Sequence, residues 1–275
     1  MPNPYNAGRL GRASLSPDLV DCIVFWTKNA APMLDKLEKI EKIGYKFYFL
    51  HSLTPYGKNI ETNLPEKQSI IKNFIELGNR IGKNRVVWRY DPIIIDDFHN
   101  VNWHSEHFSN LCKKLENSTK RCIISFVDPY KSSKNNFRSM TNEEIIAIAE
   151  NFSKTSEKHN IKLFTCAETA DLSTYGINHS SCIDKNMIEE IIGCKITAKH
   201  DKNQREMCGC IESIDIGAYN TCTNGCKYCY ATHNSKAGKI HDINAPMITG
   251  YPKGTEIVTD RTSGSQKIFQ MEMGI

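Results

Sequence analysis

The chain has 275 residues, of which 24% are charged and 40% hydrophobic, and a formal net charge of +4. That length suits one large α/β domain and does not require two. The slight positive balance permits an anionic substrate but does not argue for nucleic acid, which calls for a concentrated basic stripe, and no apolar run is long enough to span a bilayer.

Residues 1–20 read as an irregular lead-in without an apolar signal core, so a cytoplasmic protein is expected. A first strand is expected at 21–26, ending in Thr27 and Lys28, and a helical pattern follows at 32–43. A second strand at 45–50 runs into His51, Ser52 and Thr54. Leu64-Pro65-Glu66 opens a helix, with Pro65 in its first turn and Ile70, Ile71, Phe74, Ile75, Leu77 and Ile81 as the buried stripe. The third strand, 85–95, carries Arg89 inside an otherwise buried run. A buried charge needs a partner, and Asp91, two residues on, shares its strand face. A helix at 103–117, a strand at 122–127 and then Asp128 come next. The capping box Thr141-x-x-Glu144 starts a helix with Ile145, Ile146, Ile148 and Phe152 on its apolar side. A strand at 162–166 ends in Cys166 and leads to Glu168, and a helix covers 184–192. A sixth strand at 214–219 delivers a cysteine loop, and the tail beyond Thr232 reads as loop with one short strand near 255–258.

Strands alternating with helices imply parallel βαβ units, and six of them suggest a closed or partly closed TIM-like barrel in one domain. Active-site groups of such barrels sit at the carboxyl ends of the strands. Polar residues are also what solvent-facing strand ends carry, so Arg89 with Asp91 is the more informative pair.

The sequence uses eleven cysteines, an odd number without an export signal, which reads as metal ligation rather than disulfides. Cys222-x3-Cys226-x2-Cys229, with Tyr228 before the last thiol, places three thiolates on one short loop. Three thiolates hold three corners of a cubane iron–sulfur cluster and leave its fourth iron open, since full protein ligation takes four. A structural zinc site is the alternative, but zinc knuckles pair Cys-x2-Cys with a second pair of ligands, and none follows here. Cys22, Cys112, Cys122 and Cys194 fall in apolar runs or helices and read as small hydrophobes. Cys166, Cys182, Cys208 and Cys210 fall in loop contexts, and either a second iron–sulfur cluster, a zinc ion or four unrelated thiols fits them. Two basic segments, Lys131, Lys134 and Arg138 beside Tyr130 and Phe137, and Lys195, Lys199, Lys202 and Arg205, permit nucleic acid, although solvated loops look the same.

The cysteine loop and its aromatic residue resemble the signature of radical S-adenosylmethionine enzymes. In that family the open iron chelates the amino and carboxylate groups of S-adenosylmethionine, and an electron from the cluster releases a 5′-deoxyadenosyl radical. Phe25-Trp26-Thr27-Lys28 resembles the Thr-Lys strand end of spore photoproduct lyase and its DNA-repair relatives. His51-Ser52-Leu53-Thr54 and Arg89-Tyr90-Asp91-Pro92-Ile93 resemble the next two strand ends. Because the family places its cysteine loop first and this chain places it last, the resemblance implies a circularly permuted barrel. From Asn3 to about Arg261 the chain also resembles a bacterial family catalogued as a domain of unknown function. That family usually begins with a further strand ending in a Ser-Arg-Arg-Thr-Asp-Ile-Pro-type motif, which nothing here matches, so a missing first strand is expected.

These resemblances imply a 4Fe-4S cluster on Cys222, Cys226 and Cys229. They imply S-adenosylmethionine near Tyr228, Ser52, Thr54 and Glu168, and Lys28, Arg89 and Asp91 toward the substrate. A reductant such as flavodoxin or ferredoxin would supply the electron. A DNA-repair lyase and a non-catalytic metal-binding or redox protein are the other readings.

Overall fold

The structure, a computed structural model, describes residues 1–3, 6–128, 137–232, 242–261 and 264–268. Tyr130, Lys131 and Lys134 of the first basic segment lie outside the described residues. In chain order the strands and α-helices are β1 (Pro2–Asn3), β2 (Asn6–Arg12), β3 (Ile23–Thr27), α1 (Leu37–Lys42), β4 (Phe47–Ser52) and α2 (Lys67–Ile81). They continue with β5 (Val86–Ile93), α3 (Val101–Leu115), β6 (Arg121–Phe126), α4 (Asn142–Lys158), β7 (Lys162–Thr165), β8 (Asn178–His179), α5 (Lys185–Ile192) and β9 (Ile257–Asp260).

Strands β3 to β8 form one all-parallel sheet in consecutive order. Adding each strand to the same edge through right-handed crossovers puts the connecting helices on one side. The burial pattern shows this directly. Phe47 and Phe49 of β4, Trp88 and Tyr90 of β5, and Cys122 and Ile124 of β6 pack with α2, α3 and α4 in the main core. The intervening residues, Tyr48, Leu50, Val87 and Ile123, turn the other way and pack against α5 and the buried Ile196, Cys208, Cys210 and Ile211. Period-two alternation thus divides one sheet between two cores. One-sided crossover helices are what a β/α barrel wall has, but the sheet here is an open row with β3 and β8 at its edges.

The helix signals hold locally. Thr141 and Glu144 make both bonds of the capping box, Asn100 caps α3 by accepting from the Trp103 amide at 3.0 Å, and Asp184 caps α5. Helix α2 begins at Lys67, so Pro65 precedes its N-cap, Glu66, rather than sitting in the first turn. The region expected to be a helix at 32–43 is a short 3₁₀ helix at Ala31–Lys36 that runs directly into α1.

Three strand expectations need correction. Residues 214–219 form no strand: Asp215 accepts from the Gly217 amide at 2.7 Å, an Asx turn that draws the backbone away from pairing. The sixth strand of the sheet is instead β8, two residues long and carrying no sequence signal. The lead-in is not irregular, because β1 and β2 pair with β9 in a separate three-stranded sheet. Arg12 and Asp260 clasp that sheet through two hydrogen bonds of 2.6 and 2.8 Å. The tail strand itself lies at Ile257–Asp260, slightly later than expected.

Gly78 shows how tightly α2 fits. A Cβ there would come within 2.7 Å of the Ser118 carbonyl oxygen and 2.9 Å of its Cα, backbone that cannot swing aside. We expect Gly78→Ala to cost about 1–3 kcal/mol through overpacking, despite the better helix propensity of alanine. Urea unfolding of the two proteins checks this, and an unchanged midpoint would show that the helix slides freely.

Candidate functional site

The carboxyl ends of β3, β4 and β5 and the loop ahead of α2 meet around a single buried carboxylate. Glu61 is 1% exposed. Thr54 donates to its Oε1 at 2.8 Å, and the Lys28 ammonium stands 3.0 Å from the same oxygen. Lys67 and the Tyr228 hydroxyl also donate to Glu61. Burial alone would push the Glu61 carboxyl upward, but Lys28 and Lys67 outweigh it and hold it below the usual glutamate range. A carboxylate so deep in the protein stays ionised only because its lone pairs are filled and two cations stand close. Glu61 carries no sequence signal, since an acidic residue in a loop reads as solvated; only its position beneath Lys28 and Lys67 reveals it.

Through Glu61 the cysteine loop is fastened to the sheet. Cys226 forms an isolated antiparallel bridge with Glu61, and the Lys227 amide donates to the Ile60 carbonyl at 3.0 Å. The Asn63 amide donates to the Asn224 carbonyl and its side chain to the Thr223 carbonyl. Gly225 turns at φ +67°, which favours glycine, and a Cβ there would displace the Asn63 side-chain amide, 2.9 Å away, that donates to Thr223. The Tyr228 ring packs in a small core with Tyr56, Ile60, Ile94 and Val127, and the Lys28 ammonium lies 5.3 Å from its centroid. Cys226 packs against the main core, whereas Cys222 is exposed. The loop therefore contacts the strand ends, as expected of it, but by docking on the segment between β4 and α2 rather than by adding a parallel strand to the sheet.

Beside this cluster lies a second one on the opposite core. Arg89 pairs with Asp91 at 2.5 Å and stacks its guanidinium 4.4 Å from the Trp26 ring centroid. Burial disfavours its charge, but Asp91, Cys182 and Cys166 more than restore it. The pairing expected from strand periodicity is therefore present. Ser52 is in register with Arg89 across β4 and β5. Glu168 accepts from the Phe126 amide at 3.0 Å, and burial raises its carboxyl to about 7, with Asp128 and Asp91 adding to the rise.

The sulfurs of Cys166 and Cys182 lie 3.3 Å apart. Hydrogen bonds from Cys182 and Cys210 bring the Cys166 thiol down to about 4. Among the described residues no three or more histidine, cysteine, aspartate or glutamate side chains stand in a metal-coordinating arrangement. All eleven cysteines are free thiols. Cys112 and Cys122 are buried, as their apolar context implies, while Cys22 and Cys194 are only partly so.

His51 stands at the strand end it shares with Ser52. It is fully buried, edge-on to Phe74, with neither ring nitrogen hydrogen-bonded. Burial, with Lys28 adding, lowers it to about 3, so it is neutral. Three members of the basic segments pair with acids: Arg138 with Glu144, Lys195 with Glu189 and Arg205 with Asp128. Among the described residues no helix is long and apolar enough to cross a membrane.

Compared with known proteins, residues 1–231 match the model of a family described as a domain of unknown function, DUF1848. No curated protein and no solved structure matches the chain.

Two outcomes follow from these clusters. Glu61→Ala strands two lysines in a poorly solvated place, so we expect a loss of about 3 kcal/mol or more in urea unfolding. The Asn63 and Lys227 amides should then exchange hydrogen faster, because the cysteine loop loses its anchor. Glu168 has a raised folded-state pKa, so its contribution to stability is full below the ordinary glutamate value. That contribution is lost as pH rises from about 4.5 through about 7. Glu168→Gln should flatten the pH dependence of stability in that window, and an unchanged slope would count against a raised carboxyl.

Proposed function

We propose that this chain, which belongs to the DUF1848 family, is an iron–sulfur protein acting as a radical S-adenosylmethionine enzyme on an organic substrate. The observation that carries the reading is the docking of the Cys222–Cys226–Cys229 loop, through Tyr228 and Cys226, onto Glu61 at the carboxyl ends of the parallel strands. Carboxyl strand ends are where α/β sheets bind their ligands.

The donor types suit such a group, although the three loop sulfurs do not stand in a coordinating arrangement in this structure. The three loop cysteines are unpaired thiols. The Cys229 amide donates to the Cys226 carbonyl at 3.1 Å, which closes the turn between two of them. Bound there, a 4Fe-4S cluster with S-adenosylmethionine supplies a 5′-deoxyadenosyl radical, and that chemistry is the cofactor's own. The protein's part is to position and to exclude water. Glu61 fixes Tyr228 and so the loop, and it neutralises Lys28 and Lys67. Thr54 is committed to Glu61, which makes it a positioning residue in this reading rather than a direct ligand of the nucleoside. Arg89, charge-paired with Asp91, offers a cation to a carboxylate, and Ser52 lies beside it. Glu168, with its carboxyl near 7, can hold or release a proton at working pH. A reductant such as flavodoxin or ferredoxin would deliver the electron.

The experiment is anaerobic reconstitution with iron and sulfide, then a search for 5′-deoxyadenosine after adding S-adenosylmethionine and dithionite. Brown absorption and 5′-deoxyadenosine release are expected, and Cys226→Ala should remove both. A cluster that forms but releases no 5′-deoxyadenosine would favour a redox or metal-binding protein.

A further inference from the structure

Four cysteines outside the loop come together on the face of the sheet turned away from α2, α3 and α4. Cys166 follows β7, while Cys182, Cys208 and Cys210 are buried along the excursion after β8. The Cys166 and Cys182 sulfurs are in contact at 3.3 Å, and the Cys210 thiol is close enough to act electrostatically on both. Cys208, buried in the same core, acts on Cys210 in the same way. Thiols drawn from separate segments do not meet by packing alone, because a thiol is a weak hydrogen-bonding group and packs as well against any hydrophobe. A backbone donor and a buried cation also stand beside these sulfurs. The Ile183 amide donates to the Cys210 sulfur at 3.3 Å. The Arg89 guanidinium is a charge neighbour of Cys166 and Cys182, and its buried Nε has no hydrogen-bond partner.

We propose that Cys166, Cys182, Cys208 and Cys210 form a tetrathiolate site for one zinc ion. Size selects the single ion over a second iron–sulfur cluster. A tetrahedral zinc with bonds of about 2.3 Å sets its sulfurs about 3.8 Å apart. The Cys166 and Cys182 sulfurs, at 3.3 Å, need only separate by about half an ångström to become ligands of one such ion. Cys166 and Cys182 stand closer than two ligands of one zinc ion, and no coordinating group is yet formed among the described residues. In a cubane each thiolate binds a different iron at a different corner, so the four sulfurs must stand much farther apart. That would require the backbone at 166, 182 and 208–210 to part.

The ion would join the end of β7 to the excursion that covers this face, and Arg89 would offset the negative charge of a four-thiolate zinc centre. Loading must release thiol protons, so affinity rises with pH. The ligand set is separate from the cysteine loop, although Arg89 is shared with the cluster proposed to face the substrate.

The test removes the loop thiols by Cys222→Ser, Cys226→Ser and Cys229→Ser together, so that only the second set can bind. Cobalt(II) is then titrated anaerobically into the reduced, metal-free protein. One cobalt per chain is expected, with the intense visible absorption of tetrahedral thiolate ligation, displaced by one equivalent of zinc. Adding Cys166→Ser and Cys210→Ser should abolish the signal, with circular dichroism reporting whether that variant folds; the titration of its parent decides in either case. Iron–sulfur absorption after reconstitution of the loop variant, without zinc binding, would overturn the single-ion site in favour of a cluster. Thiols that react equally fast with a disulfide reagent in the presence and absence of zinc would overturn metal binding altogether.

Discussion

A parallel sheet leaves neither face to water, because its crossovers lay apolar chain on both sides and its strands are apolar on both. Here consecutive strand order places α2, α3 and α4 on a single face. The other face must be covered by something else, and α5 with the cysteine-rich chain around 182–211 covers it. That covering is why Arg89, Ser52, Cys166 and Glu168 form a polar interior instead of a solvated rim. Arg89 in such a place needs Asp91 against it, and the pair in turn sets the environment of the thiols.

The second dependence is electrostatic. Glu61 joins parts of the chain that are far apart in sequence: Lys28 after β3, Thr54 after β4, Lys67 at the start of α2, and Tyr228 in the cysteine loop. A buried carboxylate with two cations contributes less to net stability than to specificity, since any arrangement that leaves one charge unpaired is strongly disfavoured. The loop is held where it is because its Tyr228 hydroxyl helps satisfy that carboxylate. The two clusters adjoin, and Tyr230 of the cysteine loop is close enough for Arg89 to act on its charge.

Much was legible in the sequence where local physics decides. Period-two runs located β3 to β7, and helical spacing with capping residues located α2 to α5, because each signal lies within the element it describes. Arg89 and Asp91 were paired by strand periodicity alone. The strand at 214–219 was misread, since alternation of Ile214 and Ile216 with acidic and small residues is equally compatible with an Asx turn at Asp215. Strand β8 was missed because two residues hold no period, and β1 and β2 were missed because pairing with β9 is a contact between the two ends of the chain.

The sequence by itself determined the alternating α/β order, the capped helices, the Arg89–Asp91 pair and the three-cysteine loop, all properties of neighbours along the chain. Only the tertiary structure decided that Glu61 is the anchor of the site, that the cysteine loop docks on the segment before α2, and that Cys166, Cys182, Cys208 and Cys210 meet. The physical reason is that burial and charge pairing are properties of neighbours in space. A carboxylate or a thiol reads the same in any loop until the fold removes its water and chooses its partners.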